Sequence, residues 1–262
     1  MTRPTVLITG AGSGIGRALA QQADAHGHRV ILVGRRPEPL ARTADTLRDA
    51  LVLPADVTTP EGRAAIAEAV AQTGLNILIH NAGTVPSGAL EGLTDPDITV
   101  LLALNVAAPL ALTRDLLGPL SASKGQVVMV GSVFGEIAFP YFAAYSASKF
   151  ALRGMADALR RELAPRGISV THLAPRGTRT AAAQGFQSLV GPMAMTLDDP
   201  DAVAARAWRA IAARRPNQMP ASRERLFIAL QRLRPALIDR ALIRLARDPA
   251  VAAAAHPDIS RP

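Results

Sequence analysis

The chain contains no cysteine. That excludes a disulfide framework, a thiolate metal centre and a cysteine nucleophile, and it leaves the redox compartment open. Aromatic residues are only 3% of the 262 residues and do not alternate with basic ones. With no nucleic-acid motif present, no nucleic acid is expected as a partner. No apolar run approaches the length of a membrane span. The start, Met1-Thr2-Arg3-Pro4, passes into a short apolar stretch without a signal-peptide profile, so a cytoplasmic protein is expected. No second histidine or carboxylate lies at ligand spacing from His80, so no metal is expected and His80 reads as a packed histidine at a strand end.

Lysine and tyrosine are also scarce. There are two lysines, Lys124 and Lys149, and two tyrosines, Tyr141 and Tyr145. Arginine takes most of the positive charge, and formal net charge is +8 from 29 basic and 21 acidic residues. Residues 221–262 hold eight arginines and four acids, a local +4 (8 − 4). The length fits one domain with a large core.

What is present is an alternation of short apolar runs and amphipathic stretches. Thr5–Ile8, Arg29–Val33, Leu51–Leu53, Asn76–His80, Gln126–Val130 and Ile168–Leu173 read as buried strands, with helical patterns between them. That order predicts an α/β fold: a doubly wound parallel sheet covered by helices on both faces. The first strand ends in Thr9-Gly10-Ala11-Gly12-Ser13-Gly14-Ile15-Gly16 and a helix follows. Glycines at such a turn let the backbone approach a pyrophosphate, and the helix N-terminus binds it. After the second strand, where a carboxylate would bind the ribose of NAD, stand Gly34, Arg35 and Arg36. Arg35 can bind a 2′-phosphate, which points to NADP(H); the alternative is two ordinary solvated arginines. Asp56 either meets the adenine amine or caps the next helix. Asn81-Ala82-Gly83 allows close approach of the adenosine. A long apolar helix is expected over about 95–117, deeply buried or at a subunit interface. Its one polar residue, Asn105, is either a buried amide satisfied by backbone or the holder of a water near Lys149. Gln184–Thr196 reads as a mobile flap or an ordinary surface connection.

Tyr145 and Lys149 are four apart and share a helix face. A lysine ammonium favours the phenolate and lowers the tyrosine pKa, which suits Tyr145 for acid–base work. Ser132, at a strand end, can hydrogen-bond the same substrate oxygen. Alone, such a pair is also what a surface helix gives by chance. The glycine loop, Arg35, Asp56, Asn81, Ser132 and Pro175–Thr180 all fall at expected strand carboxyl ends, where ligands bind in such sheets.

Taken in order, Thr9-Gly10-x-x-x-Gly14-x-Gly16, Asp56, Asn81-Ala82-Gly83, Asn105, Ser132 and Tyr145-x-x-x-Lys149 resemble the short-chain dehydrogenase/reductase family over about residues 3–215. The resemblance implies a Rossmann-type fold and a tetrad of Asn105, Ser132, Tyr145 and Lys149. It implies cofactor contacts from Gly10, Ser13, Gly14, Ile15 and Gly16, and from Arg35, Asp56 and Val57. Further contacts come from Asn81, Ala82 and Gly83, from Tyr145 and Lys149, and from Pro175, Thr178 and Thr180. On that carry-over Tyr145 protonates a carbonyl oxygen, Ser132 polarises it, Lys149 binds the nicotinamide ribose, and Asn105 anchors a relay water. His80 and Arg176 depart from the family pattern, and a seventh strand near 217–221 is barely visible. The implied activity is NADP(H)-dependent interconversion of a carbonyl and a secondary alcohol, by a homodimer or homotetramer. A non-catalytic NADPH-binding regulator and an epimerase or dehydratase are the alternatives.

Residues 1–220 are expected to form the catalytic domain and 221–262 a helical extension. Within it, 223–247 has helical spacing, with Leu226, Leu230, Leu233, Leu237, Ala241 and Leu245 on one side and a break at Pro235. Such a basic amphipathic segment either packs on its own or a partner subunit or lies on an anionic membrane surface. Apolar lining there would suit a lipophilic substrate.

Overall fold

The computed structural model describes residues 3–220 and 224–256. In chain order they form β1 (Thr5–Thr9), α1 (Gly14–Ala25), β2 (Arg29–Gly34), α2 (Pro37–Ala44), β3 (Ala50–Pro54), α3 (Pro60–Thr73) and β4 (Ile77–His80). Then come α4 (Asp95–Leu102), α5 (Ala108–Asp115), α6 (Leu117–Ala122), β5 (Gln126–Val130), α7 (Ala143–Leu163) and β6 (Ser169–Leu173). They are followed by α8 (Gln187–Val190), α9 (Pro200–Ala212), β7 (Asn217–Gln218), α10 (Glu224–Leu233), α11 (Pro235–Ala246) and α12 (Pro249–Ala255).

The seven strands make one parallel sheet in the order β3-β2-β1-β4-β5-β6-β7. β1 is flanked by β2 and β4, so the winding reverses there and a crevice opens at the strand carboxyl ends. The central strands β1, β2, β4 and β5 are largely apolar because both of their faces are covered. Leu7 of β1 points to a core with Ile66 of α3, Leu112 of α5 and Leu152 of α7. Its neighbours Val6 and Ile8 point to the other, with Leu19 of α1, Leu40 of α2 and Trp208 of α9. The seventh strand is two residues long, which explains its faint sequence signal.

The expected helix over 95–117 is interrupted. Ala103–Ala107 forms a π-turn between α4 and α5, and Asn105 lies within it, buried. Nor is the run wholly buried: Leu101 and Leu112 are enclosed, but Val100 is 61% exposed and Leu102 and Leu110 are also exposed. The helical run Asp95–Asp115 is long and apolar enough, by length and composition, to cross a membrane, contrary to the sequence expectation. Here its inner side packs on α7 and the core, the place of a core helix in a covered sheet.

The extension divides at Pro235 as expected, although Arg223 and residues 257–262 lie outside the described residues. Its buried face takes only part of the leucine side, with Leu230 and Leu245 packed inward. Ile228 and Ile238 are buried against Ile137 and Phe139, while Leu226 and Leu233 are 69% and 78% exposed. Periodicity finds an apolar stripe, but when both sides of a helix carry apolar residues it cannot choose between them. α12 was not anticipated, because its alanine-rich sequence has little pattern. Asp248 caps it by accepting from the Ala250 N–H at 2.8 Å, and Val251 and Ala255 are buried beside Phe134, Phe142 and Phe186.

His80 is a packed histidine. The Thr113 hydroxyl donates to the Pro109 carbonyl at 2.8 Å, so it accepts from His80 Nε2, also at 2.8 Å. Burial holds His80 down at about 3 and His172, led by the same cause, at about 4. Both folded values lie below the unfolded value of about 6.5, so below pH 6.5 the unfolded chain takes up protons that the folded chain refuses. Stability is therefore full above about pH 6.5 and falls on acidification toward pH 4, by up to about 1.4 kcal/mol per pH unit for each histidine. Urea unfolding at pH 7 and pH 5 checks this, and His80→Gln is expected to reduce the slope.

Candidate active site

The glycine loop joins β1 to α1 at the crevice. Gly10 and Gly14 have φ of 66° and 53°, in the left-handed region. A Cβ on Gly16 would lie 2.2 Å from the Gly10 carbonyl oxygen and 2.5 Å from Asn81 Nδ2. Glycine at 16 therefore lets α1 start hard against the loop. The Ser13 side chain makes no capping bond, and the first turn of α1 holds no acid. Unclaimed N–H groups and the helix dipole suit an anion there. Asn81 closes the loop from β4: its Nδ2 donates to the Thr9 and Gly10 carbonyls at 3.0 and 3.1 Å.

Across the crevice stand the β5 and β6 ends and α7. Ser132 follows β5 and accepts from the Phe134 N–H at 3.1 Å. Tyr145 is in the first turn of α7, and Lys149 one turn on; both are buried. Lys149 Nζ donates to the Val130 carbonyl at 3.1 Å, which pins α7 to the end of β5. Asn105 accepts from the Thr84 N–H at 3.0 Å and donates to the Thr84 carbonyl at 3.0 Å and Ser148 Oγ at 3.1 Å. Ser148 in turn donates to the Tyr145 carbonyl at 2.7 Å. The Asn105 amide thus bridges the Thr84 backbone and, through Ser148, helix α7.

A cavity of about 240 Å³ lies between these groups. Gly10, Ser13, Gly14, Ile15, Asn81, Ala82 and Gly83 line one part; Ser132, Tyr145, Lys149, Pro175, Thr178 and Thr180 line another. Five expected residues do not line it. Gly16 is beneath the loop and Asn105 is buried behind Gly83, where an added Cβ would be 3.1 Å from Asn105 Oδ1. Val57 packs its side chain into the core with Ile66. Arg35 and Asp56 sit at the carboxyl ends of β2 and β3, Arg35 exposed. Asp56 does not cap α3; Thr59 does, accepting from the Gly62 N–H. The Asp56 carboxyl is held below the usual carboxylate range, chiefly by the Thr58 hydroxyl at 2.7 Å, with Arg35 adding to it.

Sequence reasoning missed the apolar wall. Val85, Phe134, Ala182, Ala183, Phe186 and Met195 line the cavity from three loops, with no spacing to reveal them. The Gln184–Thr196 segment supplies part of that wall, with Leu189 and Met193 buried beneath it. Ser148, within the Tyr145–Lys149 turn, was legible as a helical polar residue but not as the partner of Asn105. Arg176 lines the mouth and is bound by Asp198 and, at 3.0 Å, by Glu224 of α10.

The electrostatics correct one expectation. Burial pushes the Tyr145 phenol up to about 12, with a hydrogen bond to Ser132 acting against it. Burial brings Lys149 down to about 8. The Lys149 nitrogen lies over the phenol ring, 5.6 Å from its centroid. Desolvation outweighs the opposing hydrogen bond, and the phenol holds its proton at neutral pH.

Residues 4–189 match the family model described as short chain dehydrogenase. The chain belongs to that family. It is 35% identical over 189 residues to the dehydrogenase/reductase SDR family protein 7-like of Anopheles gambiae, covering 67% of this chain and 59% of that relative. It is 36% identical over 183 residues to mouse (Mus musculus) retinol dehydrogenase 5, covering 67% of this chain and 57% of the relative. The chain thus spans under two thirds of these relatives' length. A short-chain dehydrogenase from Sphingobium yanoikuyae in complex with NADPH is 30% identical, with TM-score 0.76 over 90% of this chain and 95% of its own. The 3-ketoacyl-(acyl-carrier-protein) reductase from Brucella melitensis, complexed with NADH, is 26% identical, with TM-score 0.74 over 82% and 95%.

Gly16→Ala is expected to displace the Gly10 carbonyl and Asn81 together. The variant should melt several degrees lower and lose nicotinamide-dinucleotide binding. Gly118→Ala, where nothing lies within 4 Å of the added carbon and the backbone is not left-handed, should melt and bind normally; thermal melts and fluorescence titration compare the two.

Proposed function

We propose that this protein is an NADP(H)-dependent oxidoreductase that interconverts a lipophilic ketone and its secondary alcohol. One observation carries the reading: a single cavity is lined by a glycine loop fit for a pyrophosphate and by Ser132, Tyr145 and Lys149. The cofactor, when bound, supplies hydride to the carbonyl carbon or removes it from the alcohol.

The protein's own groups do the rest. In the reductive direction Tyr145 Oη gives its proton to the carbonyl oxygen, and burial keeps that proton on the phenol until needed. Ser132 Oγ donates a hydrogen bond to the same oxygen as charge develops there. Lys149 spends one N–H on the Val130 carbonyl and has others for the ribose hydroxyls. The Lys149 ammonium favours the phenolate left when Tyr145 gives its proton to the carbonyl oxygen. Asn105 positions Tyr145 through Ser148.

Arg35 supports NADP(H) over NAD(H). It is exposed at the end of β2, after Gly34, with no carboxylate at the ribose position to repel a 2′-phosphate. The relatives' structures hold both kinds of cofactor, so the preference rests on this residue. The substrate class follows from the wall of Val85, Phe134, Phe186 and Met195, and from Arg176 being already paired with two carboxylates. A homodimer or homotetramer through α4, α5 and α7 accounts for the apolar Val100, Leu102, Leu110 and Phe150 left exposed on adjoining helices.

Titration by nicotinamide fluorescence tests the cofactor. NADPH is expected to bind at least ~10-fold tighter than NADH, with the difference lost in Arg35→Ala. Equal binding of both by the unaltered protein would sink the NADP(H) assignment. Tyr145→Phe is expected to lower ketone reduction roughly 10²–10⁴-fold while cofactor affinity changes far less; retained turnover would refute the role of the phenol.

A further inference from the structure

The extension offers two faces, and the protein core uses only one. Inward, Ile228 and Ile238 are buried on Ile137 and Phe139. Arg232 reaches the buried Glu136 carboxylate at 2.7 Å, and the Tyr141 hydroxyl donates to the Ala246 carbonyl at 3.1 Å. Outward, Leu226 and Leu233 are two turns apart on α10 and largely exposed. On α11, Leu237, Arg240, Ala241 and Arg244 follow at i, i+3, i+4 and i+7, one exposed face. α10 and α11 pack on each other, so these faces belong to one hairpin.

We propose that the outward face of α10–α11 docks on an anionic lipid surface. Exposed leucines interleaved with arginines are what such a surface selects: the apolar side chains enter the acyl boundary and the guanidinium groups meet phosphates. From Glu224 to Ala246 there are five arginines and two acids. One acid, Glu224, binds Arg176, and none of Arg225, Arg234, Arg240 and Arg244 is ion-paired with a described carboxylate.

A second copy of the chain is the rival occupant, and the charge argues against it. In an isologous dimer the same patch meets itself. That would bring the Arg240–Arg244 side of one copy toward its equivalent in the other, with few acids to answer it. An anionic bilayer has no such conflict.

The docking has a consequence for the site, which rests on the proposed function. α10 begins at Glu224, the partner of Arg176 at the cavity mouth. A bilayer under the hairpin would place a lipophilic substrate's reservoir beside the extension that braces the cavity.

The test is flotation of the full chain with vesicles, without cofactor or substrate, so its outcome is independent of the proposed reaction. Vesicles of equal parts phosphatidylglycerol and phosphatidylcholine are expected to carry the protein; vesicles of phosphatidylcholine alone are not. Arg240→Gln/Arg244→Gln should weaken binding roughly 30-fold, about fivefold being lost per near-surface charge. Leu226→Gln/Leu233→Gln should abolish it. Both variants alter exposed side chains and should keep the native melting temperature and cofactor titration. Absence of flotation with anionic vesicles overturns the proposal, as does equal binding to neutral ones or binding that neither variant changes. Conversion of a dimer to monomers by Leu226→Gln/Leu233→Gln in light scattering would assign the face to a second copy and overturn it too.

Discussion

The site depends on a buried cation. Lys149 is carried into the protein by α7 and held by the Val130 carbonyl at the end of β5. Burial of an ammonium is costly, and its descent to about 8 records that cost. The surrounding elements are arranged so that the position is still tolerable. α7 must lie along the sheet with its first turns at the carboxyl edge. Gly135 must have no side chain, since a Cβ there would be 2.7 Å from the Lys149 carbonyl oxygen. The π-turn around Asn105 then meets the same helix from the far side through Ser148.

A second buried charge ties the extension to this centre. Glu136 is enclosed, with Arg153 of α7 at 3.1 Å and Arg232 of α10 at 2.7 Å. A buried carboxylate needs such partners, and Glu136 takes one from α7 and one from the extension, which ties both to the loop after Ser132. His172 adds no countercharge: its ring, 4.0 Å from Glu136, is buried, and its pKa is held down at about 4. α12 and the Phe134–Phe142–Phe186 cluster complete the brace with apolar contacts. The residues that shape the cavity wall are thus fixed partly by a segment at the opposite end of the chain.

Chemistry and specificity have different physical origins here. The groups proposed to move protons lie at strand ends and in the first turns of a helix, where backbone hydrogen bonds fix them. The wall against which a substrate would pack comes from Val85, Phe186 and Met195, on connecting segments held by side-chain packing. Exchanging such residues reshapes the cavity without moving Tyr145, which is how one fold hosts many specificities.

The sequence by itself determined six of the seven strands described, their parallel arrangement and the contents of the strand-end cluster. Those follow from local rules: apolar runs buried on both faces, glycines where the backbone turns left-handed, and a period of 3.6 that puts Tyr145 and Lys149 on one face. Only the tertiary structure decided which face of the extension is buried, since Ile228 and Ile238 had no local advantage over Leu226 and Leu233. It alone placed Val57 in the core, broke the long helix at Asn105 and committed that amide to Thr84 and Ser148. It also set the balance at Tyr145, because a lysine one turn away acts through charge while burial acts through everything packed around the phenol. Spacing along a chain reports which groups are neighbours; desolvation depends on what else comes to surround them.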